Sequence, residues 1–178
     1  MESVMASIGA QIKAPWILRI DDDELPTPNL LAFAADVASG DSNAAYRFPR
    51  ACYRCNPVTG RLERSYFFAF GIDGGLDRQC RLYRPDSVAY HDELHTAGFL
   101  PEAEINAPDD VYILHFDWVI RSKEARQRKF ESYKRQSPLA VRHIHETFYE
   151  AVPEAWHLFR EVEDPKLQGF ARSLRNTG

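Results

Sequence analysis

Four consecutive acidic residues give this 178-residue chain its clearest chemical signal; they are Asp21, Asp22, Asp23 and Glu24. The apolar run at residues 16–20 directly before them predicts a buried strand that delivers the carboxylates into a site. Adjacent carboxylates repel one another, so a cation or hydrogen-bond donors must neutralise them. In an extended segment Asp21 and Asp23 point the same way, and they are therefore the predicted ligands of Mg²⁺ or Mn²⁺ shared with phosphate oxygens.

The acidic run also has other interpretations. It can be a solvated loop that caps the helix predicted to begin near Pro26. It can belong to a metal-dependent phosphohydrolase, although no second acidic or histidine-rich motif supplies a two-metal site. The buried strand before the run favours a cation site over a solvated loop.

The elements around this cluster alternate between strand and helix. Helices are predicted at residues 2–13, 28–38, 122–136 and about 139–162, the last interrupted near Pro153. Strands are predicted at residues 16–20 and 111–116, together with a hairpin of residues 45–48 and 66–70 about the turn 56–60. The expected fold is therefore α/β, a mixed sheet flanked by helices, in one domain over residues 1–178 with a helical extension at 137–178.

Composition narrows the functional classes. The net charge of -4, from 22 basic and 26 acidic residues, offers no overall attraction to nucleic acid or to an anionic membrane. No apolar run approaches the roughly 20 residues that span a bilayer, and the N-terminus lacks a secretory pattern. Three cysteines are too few, and of the wrong parity, for a disulfide framework. These features predict a cytoplasmic protein.

Several motifs in order resemble family 2 glycosyltransferases of the GT-A type. The strand at 16–20 with Asp21-x-Asp23-Glu24 resembles the family's DxD motif. The later segments that match are Tyr46-Arg47-Phe48-Pro49-Arg50, Arg81-Leu82-Tyr83-Arg84, His91-Asp92-Glu93-Leu94-His95, Leu114-His115-Phe116-Asp117-Trp118, Arg121-Ser122-Lys123-Glu124-Ala125 and Lys129. The resemblance covers about residues 5–136 and implies a partial GT-A fold. The nucleotide-binding β/α units that precede the DxD strand in the family have no counterpart before residue 21, which predicts a truncated N-terminal half.

The resemblance implies a metal-dependent, inverting transfer of a sugar from a nucleotide-sugar donor to a glycan or lipid-linked acceptor, such as a surface polysaccharide. The cation, Mn²⁺ or Mg²⁺, would neutralise the leaving diphosphate. Asp92 takes the place of the glutamate in the family's His-Glu pair and is the predicted general base, with Glu93 as the other candidate. Both can instead be surface loop residues.

Three further residues take roles from the same resemblance. His115 matches a histidine that adds a metal ligand or phosphate contact in many GT-A enzymes, and imidazole accepts Mn²⁺ readily. Its alternative is a packed histidine in the core. Arg81 and Arg84 are predicted to bind a phosphate or an acceptor carboxylate. A surface ion pair is at least as good an interpretation of Arg84.

Cysteines and basic residues add two weaker signals. Cys52 and Cys55, with Cys80 and one of His91 or His95, have the chemistry of a zinc site. Within a strand, however, Cys52 and Cys55 point to opposite faces, which favours packed or free thiols.

A basic stripe recurs every seven positions at Arg121, Arg128, Arg135 and Arg142. It predicts a solvated helix face, or a contact with an anionic acceptor or a membrane surface.

Two classes of function remain open on the sequence. The first is the glycosyltransferase, with activity that depends on a missing N-terminal half or on a homo-oligomer. The second is a catalytically inactive GT-A remnant that acts as a binding or interaction module. Neither predicts a nucleic-acid partner.

Overall fold

The computed structural model describes residues 13–65, 77–90, 99–136 and 159–175. Its strands are β1 (Ile17–Leu18), β2 (Glu24–Pro26), β3 (Ala45–Cys55), β4 (Leu62–Ser65), β5 (Arg78–Tyr83), β6 (Val88–Tyr90), β7 (Phe99–Pro101), β8 (Glu104–Asn106), β9 (Ile113–Phe116) and β10 (Arg160–Glu161). Its helices are α1 (Pro28–Ala38), α2 (Asp117–Ile120), α3 (Lys123–Gln136) and α4 (Pro165–Arg175). The described chain is thus α/β, as predicted.

The chain divides into two compact units. The first comprises Met1–Arg50 and Arg78–Ile113, and the second comprises Ala51–Asp77 and Leu114–Gly178. Strand β3 supplies residues to both, because the division falls between Arg50 and Ala51.

The first unit has a mixed sheet with β3 and β5 at its centre. Strand β5 pairs antiparallel with β1 on one side and with β3 on the other. Strand β3 also pairs in parallel with β8. Strands β6 and β7 form a separate antiparallel pair. The β1–β5 pairing matters for the site, because it sets which residue of β5 lies beside the end of β1.

Helix α1 covers this sheet and begins at a well-formed N-cap. The Thr27 hydroxyl accepts a hydrogen bond from the Leu30 N–H (3.3 Å) and donates one to the Tyr112 carbonyl (2.9 Å). Pro28 occupies the first turn, where a missing N–H costs nothing. Leu30, on the face that α1 buries, is fully enclosed in a core cluster with Phe48. One threonine therefore both starts the helix and ties it to the segment before β9.

The second unit is built on the hairpin of β3 and β4. Strand β4 pairs antiparallel with β3 from Cys52↔Ser65 to Cys55↔Leu62, and with β10 on its other side. Gly60, in the connecting turn, has φ +69°, a conformation that favours glycine.

The side chain of Gln168 joins helix α4 to this hairpin. Gln168 accepts a hydrogen bond from the Leu62 N–H (2.9 Å) and donates to the Leu62 and Val162 carbonyls (3.2 and 2.8 Å). The amide thus uses both of its ends to join α4, β4 and the residue after β10.

The predicted helix at residues 28–38 is confirmed, and the one at 122–136 is confirmed from Lys123. The predicted strands are shorter than expected, at Ile17–Leu18 and Ile113–Phe116. The first arm of the hairpin is longer, because β3 runs on to Cys55. The predicted helix at 2–13 and second arm at 66–70 lie, except for Lys13, outside the described residues.

The predicted helix reaching residue 162 is wrong at its end. Residues 160 and 161 form β10, in register with Arg64 and Glu63 of β4. Phe159 and Val162, on either side of β10, are buried, and sheet pairing has overridden local helix propensity. Helix α4 does fall within the predicted helical extension. None of the helices in the described ranges is long and apolar enough to cross a membrane.

Replacing Thr27 tests the α1 cap. We expect Thr27→Ala to lower the free energy of unfolding by about 1–2 kcal/mol, because it leaves the Leu30 N–H without its acceptor. Thr27→Ser keeps the hydroxyl and should lose much less. Urea unfolding followed by circular dichroism measures both, and equal losses in the two variants would contradict this role of the hydroxyl.

Candidate functional site

The acidic segment is a tight turn rather than an extended chain. The Glu24 N–H donates to the Asp21 carbonyl (3.1 Å), and the Asp21 N–H donates to the Glu24 side chain at Oε2 (3.2 Å). The prediction that alternate residues share a face is therefore wrong here, because a turn brings together residues three apart. Asp21 and Glu24 converge on the same partner.

That partner is Arg81 on β5. Its Nη2 lies 2.5 Å from Asp21 Oδ2 and 2.7 Å from Glu24 Oε1. The β1–β5 pairing places it there: Leu18 is in register with Leu82, and the Arg19 N–H donates to the Arg81 carbonyl (2.8 Å). The next residues along the chain then turn back over the Arg81 side chain.

Two further arginines complete this cluster, which we call the Arg81 cluster (Arg19, Asp21, Glu24, Arg50 and Arg81). Arg50 Nη1 lies 3.5 Å from Glu24 Oε1, and Arg19 Nε lies 3.3 Å from Asp21 Oδ1. The side chains of Glu24 and Arg81 are 0% and 4% exposed. The positive charge that the carboxylates require is thus supplied, at least in part, by the protein itself.

Burial and the neighbouring charges have opposite effects on the pKa of Asp21. Burial raises its pKa, whereas the positive charges of Arg81 and Arg19 lower it, and the pKa of Asp21 ends below its ordinary value. Asp21 therefore stays ionised wherever the chain is folded at neutral pH.

The two central carboxylates of the turn differ in exposure. Asp22 is exposed, whereas Asp23 is buried at 7% exposure. Both oxygens of Asp21 already accept from guanidinium groups, so a cation there would compete with Arg19 and Arg81.

The donor chemistry of the turn fits a hard cation that shares its shell with a substrate. Within the described ranges no group of three or more histidine, cysteine, aspartate or glutamate side chains can hold a metal ion. Mg²⁺ bound with a diphosphate takes only one or two protein carboxylates, and Asp21 and Asp23 supply oxygens of that kind.

His115 lies in the second unit, at the third position of β9. Its Nδ1 is 3.3 Å from the Sγ atom of Cys52 on β3. Next to this pair, Tyr53 and Phe116 stack with ring centroids 4.9 Å apart at 18°. Sequence reasoning treated Cys52 and His115 separately, because they are 63 positions apart and no local pattern joins them.

The residue two positions on, Asp117, anchors part of the predicted basic stripe. Its buried carboxylate contacts Arg121 one helical turn later and lies 3.2 Å from Lys129 Nζ. Arg128 and Arg135 are exposed on α3, and Arg142 lies outside the described residues. The stripe is thus not uniformly solvated, since Arg121 turns toward a buried acid.

Of the remaining predicted site residues, Arg84 is described and does not join these groups. Arg84 forms a surface ion pair with Asp86, with Nε to Oδ1 at 3.2 Å. Asp92 and Glu93, the predicted bases, lie outside the described residues, as do His91 and His95.

All three cysteines are free thiols. Cys52 and Cys80 are buried, and Cys55 is half-buried. Burial, together with the neighbouring carboxylate of Glu104, raises the pKa of Cys80 to about 12. Burial also raises the pKa of Cys55, against the opposing effect of Arg175. These are the properties of packed thiols, the interpretation that the sequence favoured over zinc.

Comparison with protein-family models, curated proteins and solved structures finds no significant match. The interpretation of the site therefore depends on its geometry and its residues.

The Arg81 cluster predicts a large effect of one substitution. Arg81→Met should lower the free energy of unfolding by about 3–5 kcal/mol, because it removes the ion-pair partner of the buried Glu24 carboxylate. Adding Glu24→Gln should recover part of the loss. Denaturant unfolding measures each variant.

Arg84→Met is the matched control, because Arg84 lies three residues after Arg81 in the same motif. Its exposed ion pair with Asp86 should leave the unfolding midpoint unchanged. Equal stability of the Arg81 and Arg84 variants would contradict the structural role of Arg81.

The raised thiol pKa predicts slow alkylation of Cys80. At pH 8 a thiol of pKa about 12 is on the order of 10⁻⁴ ionised, and only the thiolate reacts. Iodoacetamide should leave Cys80 unmodified by mass spectrometry in the folded protein and modify it readily in urea, with reactivity rising with pH. Equal rates in the folded and unfolded protein would contradict this environment.

Proposed function

We propose that this chain is the catalytic portion of a metal-dependent, inverting glycosyltransferase of the GT-A type. It would move a sugar from a nucleotide-sugar donor to a glycan or surface-polysaccharide acceptor. One observation carries the proposal: two motifs that resemble the family, 60 positions apart, meet in space when Arg81 contacts Asp21. Their meeting supports the interpretation of both as parts of one site.

In this proposal the Arg81 cluster pre-organises the acidic turn. Arg81 fixes the two ends of the turn through Asp21 and Glu24, so the backbone of Asp22 and Asp23 is held in one conformation. A carboxylate held in advance binds its cation without a further ordering cost. Arg81 is then a positioning residue, which differs from the phosphate contact that the sequence suggested for it.

Asp23, with Asp21, would hold Mg²⁺ or Mn²⁺ against the donor diphosphate. The cation would supply charge stabilisation to the leaving nucleoside diphosphate. Asp92, or Glu93, would take the proton from the acceptor hydroxyl as that oxygen attacks the anomeric carbon.

A second candidate is a non-catalytic binding module of the same ancestry. The observation that favours it is the neutralisation of Asp21 and Glu24 by Arg19, Arg50 and Arg81. The acidic turn is accordingly stable without a metal ion, and its retention does not require catalysis. Binding and turnover must therefore be measured separately.

Calorimetric titration with Mn²⁺ and UDP, GDP or dTDP tests the metal site. We expect coupled binding of cation and nucleoside diphosphate that Asp23→Asn removes, because Asp23 is a proposed ligand of the cation. Asp22→Asn, at the exposed neighbouring position, is the matched control and should retain the binding. Undiminished binding by the Asp23 variant would contradict the assignment.

Turnover separates the two candidates. Release of nucleoside diphosphate from UDP, GDP or dTDP sugars, lost on Asp92→Asn or Glu93→Gln, supports the enzyme. Coupled binding without any release, in the presence of glycan acceptors, supports the binding module.

A further inference from the structure

The guanidinium group of Arg81 uses only part of its hydrogen-bonding capacity. Asp21 and Glu24 both contact Nη2, at 2.5 and 2.7 Å. The neighbouring Nε atom is buried and has no hydrogen-bond partner among the described residues. Nε and Nη2 form one edge of the guanidinium, spaced to donate to both oxygens of a single carboxylate. Two acids therefore share one nitrogen, while the second donor of the same edge is unused.

The two acids differ in how easily each can leave Arg81. The side chain of Glu24 is 0% exposed, so its charge must keep an arginine partner. The side chain of Asp21 is 36% exposed and also lies 3.3 Å from Arg19 Nε. An exposed carboxylate loses little when water replaces one ion pair. Asp21 is accordingly the partner that can be released.

Glu24 has a second oxygen that links the two acids. Its Oε1 contacts Arg81 Nη2, and its Oε2 accepts a hydrogen bond from the Asp21 N–H (3.2 Å). A carboxylate that receives both donors of a guanidinium edge uses both of its oxygens. Oε2 must therefore leave the Asp21 N–H when it accepts from Arg81 Nε. The bond from the Glu24 N–H to the Asp21 carbonyl uses other atoms and remains.

We propose that Arg81, Asp21 and Glu24 form a conformational device with two states. In the first, the pre-organised state described above, Nη2 is shared by Asp21 and Glu24. In the second, Glu24 receives both Nε and Nη2, and Asp21 releases Arg81 and turns to solvent. The state of the device decides whether the carboxylate and the N–H of Asp21 are held inside the cluster or are accessible to a ligand. The device depends on these three residues alone, so it stands independently of the proposed function.

Replacing Asp21 by asparagine shifts the device toward its second state, because a neutral amide holds a guanidinium less tightly than a carboxylate does. The measurement is ¹H,¹⁵N NMR of the Arg81 Nε–H group, in the full chain without metal or nucleotide. We expect Asp21→Asn to slow the exchange of this proton with water by about tenfold or more, since the proton gains a hydrogen bond to a charged acceptor. Asp22→Asn makes the same change of charge at the exposed neighbouring position. It is the matched control and should leave the exchange rate unchanged.

Two further NMR observations identify the acceptor at Nε. The carboxyl ¹³C resonance of Glu24 should move in Asp21→Asn and stay in place in Asp22→Asn, because only the first substitution changes what Oε2 accepts. The nuclear Overhauser effect between the Nε proton and water detects the alternative acceptor, a bound water molecule.

Three results would overturn the proposal. The first is an Nε–H exchange rate in Asp21→Asn equal to that in Asp22→Asn. The second is a bound water molecule as the acceptor at Nε in Asp21→Asn. The third is failure of Asp21→Asn to fold, by circular dichroism, where Asp22→Asn folds, because Glu24 would then be unable to hold Arg81 alone. None of these results involves metal binding or turnover, so each leaves the proposed function to its own tests.

Discussion

The buried ion pairs of Arg81 are the constraint on which the first unit depends. Placing a carboxylate at 0% exposure, as Glu24 is, costs several kcal/mol of lost hydration unless a partner compensates it. Arg81 compensates the charge of Glu24 and also that of Asp21, and Arg50 adds a longer contact to Glu24. The strand pairing, the turn and the charges therefore determine one another. A shift of one residue between β1 and β5 would carry Arg81 away from both acids.

The same constraint separates the acidic segment into an outer pair and an inner pair. Asp21 and Glu24 are committed to arginine, so their first role is structural. Asp22 and Asp23 sit between these fixed ends, one exposed and one buried. Interpreted from the sequence alone, the four acidic residues form a metal-binding motif in which Asp21 and Asp23 share one role. The turn instead assigns the outer pair, Asp21 and Glu24, to holding the backbone.

The sequence was sufficient to predict those elements that are determined by neighbouring residues in the chain. Helix α1 follows from Thr27 and Pro28, and its predicted bounds are those observed. The strand β10 could not be predicted, because it exists through pairing with β4 almost a hundred residues earlier in the chain. The arginine of the Arg-Leu-Tyr-Arg segment was identified as important, but its partner was not, since register and turn geometry decide what it contacts. Cys52 and His115 belong to the same class of long-range pairs.

Arginine is the residue suited to position 81, and the geometry gives the reason. Both acids contact a single nitrogen, Nη2, so the charge needed is nearly a point charge that lysine could also provide. Lysine, however, carries a compact and strongly hydrated ammonium group, whereas the guanidinium spreads its charge and is less costly to dehydrate. The Nε atom of Arg81 is buried with no hydrogen-bond partner among the described residues, a cost that a delocalised cation tolerates better.

The second unit also contains a buried arginine. Arg54 pairs with Glu63 through Nε and packs its guanidinium over the Phe159 ring at 3.7 Å. In both units a buried arginine is neutralised by a carboxylate, which allows a charged side chain to take part in core packing.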